Sequence, residues 1–570
     1  MRKSPALSPV LLLGGGRGEA TCGILYLASY LRRNGIEAFV RLVDDDETDE
    51  DVARSLGALL NHVRPRLVGI SLKWFNHLSR GLLIAQTLRE IDPEVRIVVG
   101  GNSASYFWRE LAAYECIDDL VLGDGEFPLL SLCRGERSPP NCVTRAKNGE
   151  PRRAPLQYVQ SIKSDEVFYS HFDDIFLSGI DRHSFSGWVQ PGKGCSENCV
   201  YCGGTRGMEQ AVFGRPTSFL RPVESVAKDH QEIVTRTWQL RYDFAGGTAK
   251  FLSGSWQGHD LSKHAATYFL WGVPPRSLIE ALTGTFGRVY VVLDVGCFSQ
   301  LQRTDLMRRG LLKPCPTDQE LLDTVDFCQQ HKNLKLEVCG IAGLPHTSDQ
   351  ALNEELPLVE KLLERGCDVG SQRLESQPGA LVTQHADRFD MVADTHTFQG
   401  FVDWFAARNH ATDGAFPMVR FRDAELDSKV QRAFERVYET MRRGGSKPRE
   451  RTGAQWVSTV GAKSEVSLGD WLGAYRVPPG VARELITVLR STDGAGLACA
   501  PRLRERTFCD PHLQQGELGA AILATLELFE RPMSKSAALK ALRAGKKVTP
   551  GLAREVIEQL TVGGFLRNAT

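Results

Sequence analysis

The chain has 570 residues, too many for one ordinary core, so several domains are expected. Lys plus Arg and Asp plus Glu balance at 69 each, which leaves no global field to draw the protein to nucleic acid or an anionic membrane. The early apolar run at 10–13 stops in Gly14-Gly15-Gly16, too short for a signal peptide or a bilayer span, and the 14 cysteines form no disulfide framework, which suits a reducing cytoplasm.

Residues 9–135 alternate between strand and helix patterns. Strands are expected at 9–14, 36–43, 67–72, 95–99 and 119–122, with helices at 21–34, 50–63, 79–91 and 108–115. Short apolar strands alternating with helices predict a doubly wound, Rossmann-like parallel sheet over 1–140, which binds ligands at the carboxyl ends of its strands. Glycines cluster at those ends: Gly69-Ile70-Ser71, Gly100-Gly101 and Gly123-Asp124-Gly125-Glu126. The triple glycine at 14–16 lacks the G-x-G-x-x-G spacing of a dinucleotide fold. Residues 141–185 read as a linker, rich in Pro, Arg, Asn and Lys.

Residues 195–202 read Cys-Ser-Glu-Asn-Cys-Val-Tyr-Cys. Three thiolates in one short loop suit a [4Fe–4S] cluster held by Cys195, Cys199 and Cys202 with one iron left open. A structural zinc site would need a fourth sulfur or nitrogen at regular spacing, and none follows nearby. Lys193-Gly194 enters the loop, Tyr201 stands beside the last ligand, and Gly203-Gly204 allows close backbone approach. Repeating strand and helix patterns follow, with strands at 186–190, 239–244, 289–295, 334–341 and 368–374, which predicts a partial (β/α) barrel over 186–410 with its site at the strand carboxyl ends. The stretch 243–273, with Trp256, Tyr268, Phe269 and Trp271, reads as an aromatic insertion or as packing of a large loop.

A helical connector is expected at 411–515. Helical patterns within 516–570 resemble a small winged-helix unit. From Arg531 to Arg554 there are seven Lys or Arg and no acid, which reads as a packing cap with a solvated cationic face, a docking site for a peptide or carrier protein, or a nucleic-acid contact. The neutral total charge argues against the last.

The cysteine triplet resembles the signature of the radical S-adenosylmethionine (SAM) superfamily. The domain ahead of it resembles the cobalamin-binding domain of class B radical SAM methyltransferases. The cobalt-ligating D-x-H-x-x-G motif is absent: the domain's only histidines are His62 and His77, and Asp394-Thr395-His396, with Gly400 beyond, has the wrong spacing and follows the barrel. The resemblance implies cobalamin bound without a histidine ligand, near Ser71, Lys73, Gly100, Gly101, Gly123, Gly125 and Glu126. It also implies a [4Fe–4S] cluster and SAM, with Tyr201, Gly246, Gly247, Gly343 and Gln377 near these groups and Asp294 as a polar SAM contact. Two departures stand out. The turn Ala245-Gly246-Gly247 lacks the family's acid, and Leu293-Asp294-Val295-Gly296-Cys297 replaces the usual Glu-Ser-Gly-Ser. Cys297 and Tyr242 are further catalytic candidates, with packing as a small buried hydrophobe the alternative for Cys297.

The implied activity is methyl transfer from SAM through cobalamin to carbon of a natural-product intermediate or peptide, with a flavodoxin- or ferredoxin-type electron donor. An unactivated C–H bond offers no lone pair to a polar methyl donor, so the cofactors must carry the chemistry. Polar methylation of an aromatic heterocycle such as the indole of tryptophan is one alternative. Others are a non-methylating rearrangement or cyclisation, and a cobalamin-sensing regulator that uses its winged helix on DNA.

Overall fold

The structure is a computed structural model that describes residues 9–15, 21–43, 48–145, 150–156, 187–215, 218–234, 239–243, 254–256, 258–408 and 416–443, with scattered positions between 521 and 557. The chain divides into two compact units. The larger holds residues 1–175, 188–234 and 240–455, and the smaller holds 176–187, 235–239 and 456–570. Most of the smaller unit, including the winged-helix-like pattern, lies outside the described residues.

The larger unit contains two sheets. The first comprises β1 (Val10–Gly15), β2 (Ala38–Val43), β3 (Leu67–Ser71), β4 (Arg96–Gly100), β5 (Asp119–Val121), β6 (Cys142–Arg145) and β7 (Pro151–Arg153), in the order 2-1-3-4-5-6-7. Strands β1 to β5 are parallel, as their apolar runs predict, and Leu11, Leu13, Val68 and Ile97 are wholly buried. Strands β6 and β7 pair antiparallel and carry the sheet to Arg153, into residues expected to be linker. Local periodicity cannot reveal them, because Pro151-Arg152-Arg153 is exposed and gains its strand form from its partner.

The second sheet follows β8 (Gly187–Val189) and a small ribbon of β9 (Gly192–Lys193) and β10 (Phe219–Leu220). It continues with β11 (Gln239–Asp243), β12 (Ala265–Trp271), β13 (Arg288–Asp294), β14 (Leu334–Ala342) and β15 (Asp368–Arg373), in the order 15-14-13-12-11-8. Strands β12 to β15 are parallel. This is the expected partial barrel, with one correction. Residues 265–271 form an inner strand rather than an insertion, and the run Ala-Ala-Thr-Tyr-Phe-Leu-Trp carries the apolar and aromatic signal of a buried strand.

Two further contacts shape the larger unit. The helix Phe398–Ala406 sets Phe401 5.0 Å from Phe75 and Phe398 5.4 Å from Phe107, joining the barrel side to the first sheet through aromatic pairs. The helix Ala424–Arg443 begins within the residues expected to be connector, and Arg373 at the end of β15 pairs with its Asp427 at 2.8 Å. No helix among the described residues is long and apolar enough to cross a membrane.

Candidate active site

A cavity of about 400 Å³ opens at the carboxyl ends of β1, β3, β4 and β5. Its lining includes Ser71, Lys73, Gly100, Gly101, Gly123, Gly125 and Glu126, all seven positions expected to meet cobalamin. Among the described lining residues there is no histidine. The backbone itself forms much of this wall. Gly101 has φ +105°, and a Cβ there would lie 2.6 Å from the Leu72 carbonyl oxygen. Gly123 has φ +72° and packs against Phe213, the last residue of the helix that leaves the cysteine loop. Bare backbone at strand ends leaves room for a broad planar ligand, so these residues fit a corrin.

The opposite wall belongs to the barrel. Trp188 and Gln190 of its first strand region, and Gly192, Lys193 and Gly194 leading into the cysteine loop, line the same cavity. The Lys73 ammonium lies 4.9 Å over the Trp188 ring, and the buried Arg241 guanidinium lies 4.3 Å from that ring and 4.4 Å from Phe269. Lys193 donates to Asp124 at 3.0 Å and to Glu126 at 3.2 Å, while Arg215 donates to Asp124 at 2.9 Å and pairs with Glu209. Burial alone would raise the Asp124 pKa, but Lys193 and Arg215 pull it below the ordinary carboxylate value. Sequence reading missed this network because its charges lie up to 91 residues apart.

The three loop cysteines are free thiols. Backbone N–H groups aim at each sulfur: Glu197 at Cys195 (3.4 Å), Lys313 at Cys199 (3.3 Å) and Gly204 at Cys202 (3.3 Å). Burial raises all three pKa values, that of Cys202 to about 11, and a bound cation would favour the thiolates. Among the described residues no three metal-binding side chains converge on a single ion. Three sulfurs in one loop, each accepting a backbone N–H, fit a cluster in which each would take a different iron.

Other parts of the barrel hold this loop in place. Gln377 accepts a hydrogen bond from the Gly203 N–H at 3.3 Å, and a Cβ on Gly203 would come 2.3 Å from the Pro378 carbonyl oxygen. Asp294, at the end of β13, binds Lys313 at 2.6 Å and accepts from the Gly296 N–H at 2.8 Å. Lys313 also donates to the Tyr201 hydroxyl at 3.0 Å. Burial disfavours this ammonium, yet Asp294 and Cys199 more than offset the effect and raise its pKa. No local pattern in the sequence singles out Lys313.

The remaining expected site residues fall elsewhere. Gly343 (φ +84°) follows β14 and packs against Val430 of the helix Ala424–Arg443. Gly246 and Gly247 lie outside the described residues. Cys297 is fully buried, its thiol directed at the Ser299 carbonyl oxygen, and burial raises its pKa steeply. Tyr242 is also fully buried: its hydroxyl accepts from the Trp256 indole at 3.0 Å and meets His230 Nε2 at 2.9 Å. His230 Nδ1 faces the Ser255 carbonyl oxygen at 3.2 Å, so Nδ1 carries the ring proton and Nε2 accepts from Tyr242. Both catalytic candidates, Cys297 and Tyr242, thus sit at buried positions where their polar atoms have hydrogen-bond partners.

A doubly wound sheet and a barrel that carries a cysteine loop line one cavity. Residues 18–132 match the B12 binding domain family. The fold is similar to that of the radical S-adenosylmethionine methyltransferase TsrM from Kitasatospora setae, solved with cobalamin and a [4Fe–4S] cluster bound. The match has a TM-score of 0.57 and 14% identity and covers 75% of this chain and 91% of that one. A second TsrM structure, with tryptophan substrate and the SAM analogue aza-SAM bound, matches with a TM-score of 0.56 and 14% identity over 76% and 89% of the two chains. No curated protein matches the chain in sequence. The chain thus contains a B12-binding domain and shares its fold with a radical SAM methyltransferase.

Proposed function

We propose that this chain is a cobalamin-dependent radical SAM methyltransferase that moves a methyl group from SAM, by way of cobalamin, to a carbon of a natural-product intermediate or peptide. The observation that carries this reading is the shared cavity, lined on one side by the glycine-rich strand ends and on the other by the residues leading into the cysteine loop. When bound, cobalamin supplies a methyl carrier and the cluster supplies an electron to SAM. Cys195, Cys199 and Cys202 would hold the cluster. Gly101, Gly123 and Gly125 would admit the corrin, and Lys73 and Trp188 would face it. Asp294, about two-fifths exposed beside Lys313, would meet SAM as a polar contact. A cytoplasmic setting and a small electron-donor protein accord with this chemistry.

A second reading is polar methylation of an aromatic ring such as indole, and one structurally similar methyltransferase was solved with tryptophan substrate bound. It is favoured by the aromatic and cationic surface of Trp188, Arg241 and Phe269, which suits a flat, electron-rich substrate. Anaerobic reconstitution with iron, sulfide, cobalamin, reductant and SAM, followed by mass spectrometry with candidate substrates, separates the two. Radical transfer yields 5′-deoxyadenosine and S-adenosylhomocysteine together with methylated product, whereas polar transfer yields S-adenosylhomocysteine and methylated product without 5′-deoxyadenosine. Turnover to 5′-deoxyadenosine without methylation would refute both.

A further inference from the structure

We propose that Lys313 sets the reduction potential of the cluster bound by the cysteine loop, with Asp294 as its counter-charge. The inference rests on the cluster assignment made above and adds a role for a residue outside the ligand set. Lys313 is bound to the loop through its backbone: its N–H donates to the Cys199 sulfur at 3.3 Å, and the Val200 N–H donates to the nearby Leu311 carbonyl oxygen at 2.8 Å. A movement of the loop would therefore carry the lysine with it.

The side chain is enclosed. Lys313 is 4% exposed, and its ammonium lies 3.0 Å from the Tyr201 hydroxyl, 5.5 Å from the Trp271 ring centre and 2.6 Å from Asp294. Withdrawing an ammonium from water is unfavourable, and an apolar side chain of similar length would pack there without that cost. A charge kept at such expense beside an electron-accepting group has an electrostatic use. The two partners are screened unequally, since the Asp294 side chain is 40% exposed and that of Lys313 only 6%. Water damps the carboxylate more than the ammonium, so a net positive field reaches the Cys199 sulfur. Adding an electron makes a cluster more negative, and a fixed cation nearby stabilises the reduced form and raises the potential.

The test is a redox titration of the full-length reconstituted protein, followed by electron paramagnetic resonance without SAM or substrate, on wild type, Lys313→Met, Lys313→Arg and Asp294→Asn. Iron and sulfide contents are measured first, and a wild-type chain that binds no cluster would defeat the proposed function itself. With the cluster present, Lys313→Met should disfavour reduction at least tenfold, a fall of about 59 mV for one electron. Lys313→Arg should restore most of the loss, and Asp294→Asn should shift the potential upward. Potentials for Lys313→Met and Asp294→Asn that match wild type, or that move in the same direction, would overturn the proposal. If Lys313→Met fails to hold a cluster, Asp294→Asn decides the question: an upward shift supports the role, and no shift or a downward one refutes it.

Discussion

Lys193, two residues before the first loop cysteine, donates to Asp124 at 3.0 Å in the turn that follows β5. The entry to the candidate cluster loop is thereby pinned to the wall of the candidate corrin cavity. Asp124→Ala would leave Lys193 with Glu126 alone and Arg215 with Glu209 alone, a loss of about 1–3 kcal/mol for buried donors that lose one partner. We expect a lower melting temperature together with reduced cobalamin retention on gel filtration. Loss of neither would show that the pairing does not organise the cavity.

Two glycine substitutions test the two walls separately. Gly101→Ala places a Cβ 2.6 Å from the Leu72 carbonyl oxygen at φ +105°, so the β4 end must shift and cobalamin retention should fall while iron content holds. Gly203→Ala meets the Pro378 carbonyl oxygen at 2.3 Å, so iron content should fall while cobalamin retention holds. Visible spectroscopy and iron analysis of the two variants provide the check, and identical losses in both would contradict separate roles.

The cysteine triplet and the strand-end glycines were legible in the sequence because each is local: a loop of fixed spacing, or a strand meeting a turn. The exposed β7 was not, because its strand form comes from pairing with β6 rather than from its own side chains. Residues 265–271 did carry a strand signal, but the surrounding tryptophans and glycines favoured an insertion. Tyr242 and Cys297 look reactive in a string of letters. Only packing shows their polar atoms already engaged, just as only the fold brings Lys313 to Cys199 across 114 positions.

Tyr242→Phe removes a hydroxyl that serves His230 and Trp256 together. The cost should be about 1–3 kcal/mol of stability, from two buried groups left without a partner. At a temperature where the variant is folded its turnover should match wild type, and a hundredfold loss there would return Tyr242 to the catalytic residues.

His230 supplies a pH dependence. Burial, with lesser effects from nearby groups, pushes its pKa from the ordinary 6.5 down to about 3. Between these values the unfolded chain binds a proton that the folded chain does not. The contribution is therefore fully present above the unfolded pKa and is lost as pH falls toward the folded one. From about pH 6.5 to about pH 5 the loss is on the order of 2 kcal/mol. Melting temperatures measured across that range should decline less steeply in His230→Gln than in wild type, and equal slopes would contradict the assignment.

The central claim is that a methyl group leaves SAM and reaches cobalamin within this one chain, and this step can be followed without knowing the final substrate. The reconstituted, reduced protein is incubated with SAM carrying a deuterated methyl group, and the cobalamin is extracted for mass spectrometry. Our account predicts the intact deuterated methyl on the extracted cobalamin, with an equal amount of S-adenosylhomocysteine. Cobalamin that stays bound through the incubation, with S-adenosylhomocysteine formed and no label acquired, would contradict it.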